Sequence, residues 1–535
     1  MSFSRRASGL GVAAALWLGS SPAHAQLADY QQIAPHGVPG GQINKTLEEQ
    51  VGRGHGDAFT PGSAVYLIKR DPARSIRRGR QIFQRKFSLR QGLGPRVNPD
   101  SVGDIVENRA FGAGLIDSCA GCHGRPRGSA GAGGDVVTRP DSRDAPHLFG
   151  LGVQEMLADE ITADLRAIRD RAVSEARRRR TAVTLELVSK GIRYGRIRAT
   201  SSGSVDTSQV QGVDTDLRVR PFFAEGGTVS IREFAVGAFN AEMGLQAPDP
   251  VLCAVTDPRN PQLQTSPSGF VYDPRKDVFE RPPVCRRDED GDADGVRNEI
   301  DAAIIDHMEF YLLNYFKPGT GPGNYRTRDG LALMNQVACT SCHIQNLPIR
   351  KDRRVADVET VHDPARGIFN RLFATASTRF VAQPPDSQPY PQLLPAGQPF
   401  TVANIFTDFK RHDLGPAFHE REYDGQIVTK LLTEPLWGVA TTAPYGHDGR
   451  SINLEEVILR HDGEARGSKL AFAALPSDSK RKIFEFLGTL ILFPPDDTAS
   501  NLNPGNPRTT NPQDPAQHGS INLGALFQIP TEGQE

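Results

Sequence analysis

A mainly α-helical chain with long loops and a few short strands is the expectation for these 535 residues, on three grounds. Apolar residues recur at helical spacing in "SIRRGRQIFQRKF", "SIREFAVGAFNAEMGL", "AAIIDHMEFYLLNYF" and "SDSKRKIFEFLGTLILF". Alternating stretches are few and short, as in "GIRYGRIRAT" and "LRVRPFF". Glycine (53) and proline (40) are plentiful enough to imply much loop between helices. The length allows two or three domains with sizeable cores, and a net charge of −1 gives no global footprint for nucleic acid.

Taken in order, the chain opens with an export signal over residues 1–25. "MSFSRR" is basic, "LGVAAALWLG" is a short apolar core, and "AHA" before Gln26 is a small-x-small cleavage site. An ordinary secretory signal is favoured over a twin-arginine one. The apolar run is too short to span a bilayer, and no other stretch is a candidate. The expected compartment is therefore periplasmic or extracellular and oxidising. There, Cys253 and Cys285, which bracket a Pro- and Asp-rich loop, read naturally as a disulfide; two unpaired cysteines are the alternative.

Residues 26–325 form the expected N-terminal domain, with helical and loop insertions. It carries the first Cys-x-x-Cys-His unit, a helical pattern from Leu151 to about Ser189, and the run Arg177–Arg180. That run is a solvated helix face, or alternatively a docking site for an acidic redox partner. In "DGDADGVRNEID", Asp290, Asp292, Asp294, Gly295, Asn298 and Asp301 take positions 1, 3, 5, 6, 9 and 12 of a Ca²⁺-binding loop. The last ligand is Asp where Glu is usual, and a solvated acidic turn is the alternative. Residues 326–494 form the C-terminal domain, with the second unit, a Pro-rich extended loop and a closing helix. Residues 495–535 are a Pro/Asn-rich tail with little to bury.

The strongest chemical signal is the pair of Cys-x-x-Cys-His units, Cys119-Cys122-His123 and Cys339-Cys342-His343. Two cysteine sulfurs bond porphyrin vinyl groups, and the adjacent His ligates the iron. A dithiol motif has no use for that His, and a structural zinc site needs a second ligand pair. Two covalently bound c-type haems, in two cytochrome-c-like domains, are therefore expected. An iron with one protein ligand keeps a position for substrate, and one with two suits electron transfer. The ranking of the two haems thus turns on sixth ligands among the remaining histidines.

"PLWGVATTAPYGHDGRSINLEE", "RDAPHLFGLG", "NAEMGL" and the paired haem units together resemble the bacterial dihaem cytochrome c peroxidases. The likeness is nearest to their longer relatives, the peroxidase-like dihaem oxidoreductases also labelled thiol oxidoreductases, and runs in patches over Arg78–Leu492. It implies a sixth ligand for the His343 haem fourteen residues after His447, which is His461; a His at a helix C-terminus is the alternative. Replacing the usual Met by His would lower that haem's potential. The resemblance places no removable His before "RDAPHLFG", so the His123 haem is expected open, as in the methylamine-utilisation enzyme and the rubber oxygenases. Glu242 matches the glutamate that moves protons over the open haem, with Phe239 and Ala238 shaping the distal wall; an exposed helical Glu is the alternative.

The chain departs from the family at two places. Phe222 and Phe223 stand where a bridging Trp is common, and Trp437 lies elsewhere. An inter-haem Ca²⁺ site would keep Thr442 and Pro444 but has Gly150 for its Asn. The resemblance implies a peroxidase-like enzyme that takes electrons from a small redox protein, a cytochrome c or cupredoxin. An O₂-dependent oxygenase of the rubber-cleaving type, and a pure electron carrier with His147 closing the first iron, are the alternatives.

Overall fold

A computed structural model describes residues 52–492, apart from 89–90, 95–115, 126–128, 134, 137–140, 142, 294, 298, 317, 362–372, 379, 384–391 and 423–424. Residues 1–25, expected to be an export signal, and the tail lie outside it, as do Asp294 and Asn298 of the acidic loop. Among the described residues no helix is long and apolar enough to cross a membrane.

The helices are α1 (Ala64–Arg70), α2 (Pro72–Gln84), α3 (Cys119–His123), α4 (Leu151–Arg179), α5 (Ile231–Ala241), α6 (Pro250–Val255), α7 (Ala302–Asn314), α8 (Tyr325–Gln336), α9 (Leu454–Arg460), α10 (Arg466–Ala473) and α11 (Ser477–Leu487). Helix α7 is apolar on nearly every side, and every one of its residues is buried. An all-round apolar helix has to be central, and α1, α2, α4 and α5 pack around it. Their inward residues, Ile68, Ile76, Phe83, Ala235, Phe239 and Ile304 among them, form the first core. A second core lies between α4 and an antiparallel sheet, and a third joins α8, α10 and α11 through Met334, Phe472, Ile483 and Phe486.

Strands are more numerous than expected, spread over many two-stranded ribbons. The three-stranded sheet is β1 (Val183–Ser189), β2 (Ile192–Ala199) and β3 (Val205–Asp206), in that order. Two expectations are corrected here. The helical pattern does not run to Ser189: Arg180 takes a left-handed conformation and donates its N–H to Ala176 and Arg177, ending α4. The following "VTLELVS" is a strand, because its β-branched residues and alternating burial suit a half-buried ribbon. Nor is "LRVRPFF" a strand. Leu217 has φ 63°, and the Val219 amide donates to the Thr162 hydroxyl at 3.0 Å in place of a ladder partner. Arg177–Arg180 are exposed.

Cys253 and Cys285 are disulfide-bonded. Of the acidic loop, Asp301 caps α7 by accepting the Ala303 amide at 2.8 Å, and an Asp290 carboxylate oxygen accepts the Gly295 amide at 2.9 Å. Asp292 lies in the same loop, half-way between buried and exposed.

Beneath α7 lies a buried ionic knot. The Arg232 guanidinium, fully enclosed, donates to Asp249 at 3.1 Å, Asp306 at 2.6 Å and Glu309 at 2.8 Å. From the N-terminal segment, His55 Nδ1 reaches Asp306 at 2.6 Å. The hydrogen bond to Asp306 raises the His55 pKa above its ordinary value. A raised histidine stabilises the fold fully below its unfolded pKa, and loses that contribution as pH climbs through the folded value. His55→Ala is therefore expected to cost about 1 kcal/mol at about pH 6, allowing for the ring's partial exposure. The deficit should shrink in alkaline solution. Urea titrations at the two pH values measure it, and a pH-independent difference would refute the pairing as its source.

Candidate haem sites

Helix α3 is a single turn started by Ser118, whose Oγ accepts the Gly121 amide at 3.1 Å. A returning loop seals it: a Cβ at Gly133 would lie 0.8 Å from the Cys122 carbonyl oxygen, so only glycine fits there. His123 donates Nδ1–H to the Pro146 carbonyl at 2.6 Å, which leaves Nε2 for a metal. Burial brings its pKa down to about 4, keeping the ring neutral. Burial also pushes the Cys119 thiol up to about 12 and the Cys122 thiol up to about 11, with the Glu242 charge adding to the latter. Dithiol redox centres need the opposite shift. Two unbonded thiols with an adjacent neutral imidazole fit covalent haem attachment.

Glu242 is the C-cap of α5, its amide donating to Ala238 at 3.0 Å, and it lies near enough to Cys122 for its charge to be felt there. Phe239, three residues earlier, is buried and meets Phe87 edge-on at 5.7 Å. Phe83 lies 6.5 Å from the His123 ring. The sequence-predicted Glu242, Phe239 and first haem motif are thus gathered at one end of the helical core.

The second unit follows α8. Ala338 turns left-handed (φ 61°) into a short 3₁₀ turn, Cys339–Ser341, and His343 donates Nδ1–H to the Phe406 carbonyl at 3.0 Å. Burial brings His343 down to about 4, and the charge of His461 acts in the same direction. His461 ends α9 with Nδ1–H donated to Val457 at 2.7 Å, and Phe418 stands edge-on 5.3 Å from its ring. Both imidazoles therefore have Nδ1 tied to a backbone carbonyl and Nε2 left over, the tautomer that iron ligation requires.

His147 is different. Its Nδ1 accepts the Phe149 amide at 3.2 Å and its Nε2–H donates to the Trp437 carbonyl at 3.0 Å, so both nitrogens are occupied. The ring is a strut between segments. Beside it, Trp437 is 2% exposed, and a Cβ at Gly150 (φ 78°) would fall 2.6 Å from its indole. The indole fills the room that a side chain at 150 would need. Phe223, at the family's Trp position, packs on Phe234 at 5.3 Å. Thr442 precedes the cis Ala443–Pro444 bond, of which Pro444 is the second residue.

Two clusters escaped the sequence reading. His412 is held between Asp408 at 2.9 Å and Glu464 at 2.8 Å, beside Cys342. Burial opposes its charge, but Asp408 and Cys342 outweigh it and bring the pKa up to about 10. An imidazolium between two carboxylates is an ion pair, and it has no lone pair to offer a metal. The second cluster joins the "RDAPHLFG" and "TAPYGHDG" segments. Arg143 is bidentate to Glu420 at 2.6 and 2.7 Å and meets Glu225 at 2.9 Å. Burial pushes Glu434 up to about 7, and the Asp144 amide donates to the His447 carbonyl at 2.9 Å. The i, i+4 spacing of Asp408 and His412 could have hinted at the first cluster; the second is dispersed along the chain and leaves no local pattern.

Residues 353–490 match the family model described as "Di-haem oxidoreductase, putative peroxidase". Among solved structures, one described as a MauG-like protein associated with microbial copper homeostasis is similar, at 14% identity. The similarity covers 76% of this chain and 96% of that one, with a TM-score of 0.26. No curated protein matches. The matched segment, 353–490, carries His412, His447 and His461, and over it the chain is similar to the dihaem peroxidase-like oxidoreductases.

Proposed function

We propose that this chain is an exported, periplasmic or secreted, dihaem c-type oxidoreductase that reduces peroxide at the haem of the N-terminal domain (26–325). Electrons would enter through the haem of the C-terminal domain (326–494). Cys119, Cys122 and His123 would hold the first group; Cys339, Cys342, His343 and His461 would hold the second. When bound, the first supplies an open iron position at which a peroxide O–O bond can be cleaved, with two electrons and two protons giving two waters. Glu242 takes a proton from one peroxide oxygen and returns it to the other. Phe239 and Phe87, both buried, keep that face apolar. The electron donor is a small cytochrome c or cupredoxin. Ca²⁺ in the Asp290–Asp301 loop remains part of the proposal, as an ion that stiffens the entry to α7.

One observation carries this reading: the asymmetry of the two histidines. His343 has a partner imidazole, His461, with a nitrogen to spare, while His147, bonded to the Pro146 that accepts from His123, has both nitrogens committed to backbone. The same observation speaks against a pure carrier closed by His147. An EPR spectrum of the resting ferric protein tests it. One high-spin signal and one low-spin bis-histidine signal are expected; two low-spin signals would remove the open site and the reading with it.

A further inference from the structure

The strut made by His147 has continuations on both sides. From His123, Nδ1–H donates to the carbonyl of Pro146 at 2.6 Å. Pro146 is bonded to His147, whose Nε2–H donates to the carbonyl of Trp437 at 3.0 Å. Trp437 is bonded to Leu436, whose amide donates to the carbonyl of Ile405 at 3.0 Å. Ile405 is bonded to Phe406, whose carbonyl accepts Nδ1–H of His343 at 3.0 Å. Four hydrogen bonds and the short covalent links between them thus run without a break from one Cys-x-x-Cys-His histidine to the other. The strap is shielded, since Trp437 is buried and Ile405 and Phe406 are fully so. Of its links only the one at His147 joins the two halves through a side chain that is not itself a haem-motif histidine.

We infer that His147 is a positioning residue that splices a hydrogen-bonded strap between His123 and His343, and that this strap electronically couples the two haem groups. The inference rests on the dihaem reading and adds to it the route between the sites. A single electron crossing leaves one haem reduced by one unit and the other oxidised by one, and no proton or further reactant is consumed. The route uses the backbone of Trp437 and leaves its indole out. The Phe149 amide locks His147 in the donating tautomer, so the splice does not depend on the ring's protonation.

The test uses the haem-loaded full chain. An electron is delivered by a photoexcited flavin, and its passage from the bis-histidine haem to the other is followed by absorbance in wild type, His147→Leu, His147→Gln and Trp437→Phe. His147→Leu, which keeps bulk but cannot donate, removes one of the four hydrogen bonds of the route and is expected to slow the passage on the order of 10-fold, the low end of what losing an outer-shell hydrogen bond at a metal site costs. His147→Gln, whose amide can reach the same carbonyl, is expected to restore it. Trp437→Phe keeps the carbonyl and is expected to leave the rate unchanged.

A wild-type rate in folded His147→Leu would overturn the strap. So would a slowed rate in Trp437→Phe, which would place the route in the indole; that arm decides the matter even if His147→Leu does not fold. A haem assay of the wild type keeps the two claims apart. Fewer than two haems per chain would refute the proposed function, whereas two haems with an indifferent His147 would refute the strap alone.

Discussion

Glu242→Gln is expected to reduce peroxide turnover by about 10²- to 10⁴-fold, the range for loss of a positioned acid/base group. Haem content and the resting spectrum should stay as in the wild type. Gln keeps the size of the side chain and its capacity to hydrogen-bond, and the cap at the end of α5 is made by the backbone, so the fold has no reason to change. What disappears is the ability to take up a proton and release it. The place is suited to that role because Glu242 is within electrostatic reach of Cys122 while Phe239 and Phe87 wall the same end of the core. Steady-state assays with peroxide and a reduced cytochrome provide the measurement. Undiminished turnover in the variant would exclude Glu242 as the proton carrier. Equal losses of turnover and haem would point to folding instead.

Arg232→Met should produce the largest loss of stability, about 3–5 kcal/mol, because it strands buried carboxylates without their cation. Asp249, Asp306 and Glu309 all converge on this guanidinium, and none of them is exposed. Burial already raises the Asp306 and Glu309 pKa values despite the arginine. Without it they should rise further and take up protons in the folded state. A carboxylate whose folded pKa exceeds its unfolded value favours folding increasingly as pH falls. The deficit should therefore narrow on acidification, which separates stranded charge from lost packing. Chemical denaturation at neutral and mildly acidic pH measures both effects. A deficit that does not change with pH would assign the cost to packing.

Local chemistry was legible in the sequence wherever it was written in adjacent residues. The disulfide cysteines and the helices beginning at Ile231, Ala302 and Ser477 could all be located from short patterns. His461 was singled out only by the family resemblance, and the structure places it at the end of α9. The errors came where tertiary partners overrode local pattern. The stretch after Arg180 continued a helical rhythm in charge but not in β-branching, and "LRVRPFF" alternated yet gave its amide to Thr162. Least legible were the groups assembled from distant segments. Arg143 and Glu420 are 277 positions apart, and His147 and Trp437 are 290 apart. No window of sequence contains such pairs. The sequence offers His147 as a candidate ligand, whereas in the fold both its nitrogens are bonded to backbone.

The contact between Gly150 and Trp437 has a consequence for how this chain can vary over generations. A side chain at position 150 and an indole at position 437 claim the same volume, with the would-be Cβ only 2.6 Å from the ring. Enlarging the first therefore demands that the second shrink, and a smaller second leaves room for a side chain at the first. A side chain can be placed at 150 in this packing only together with a smaller residue at 437.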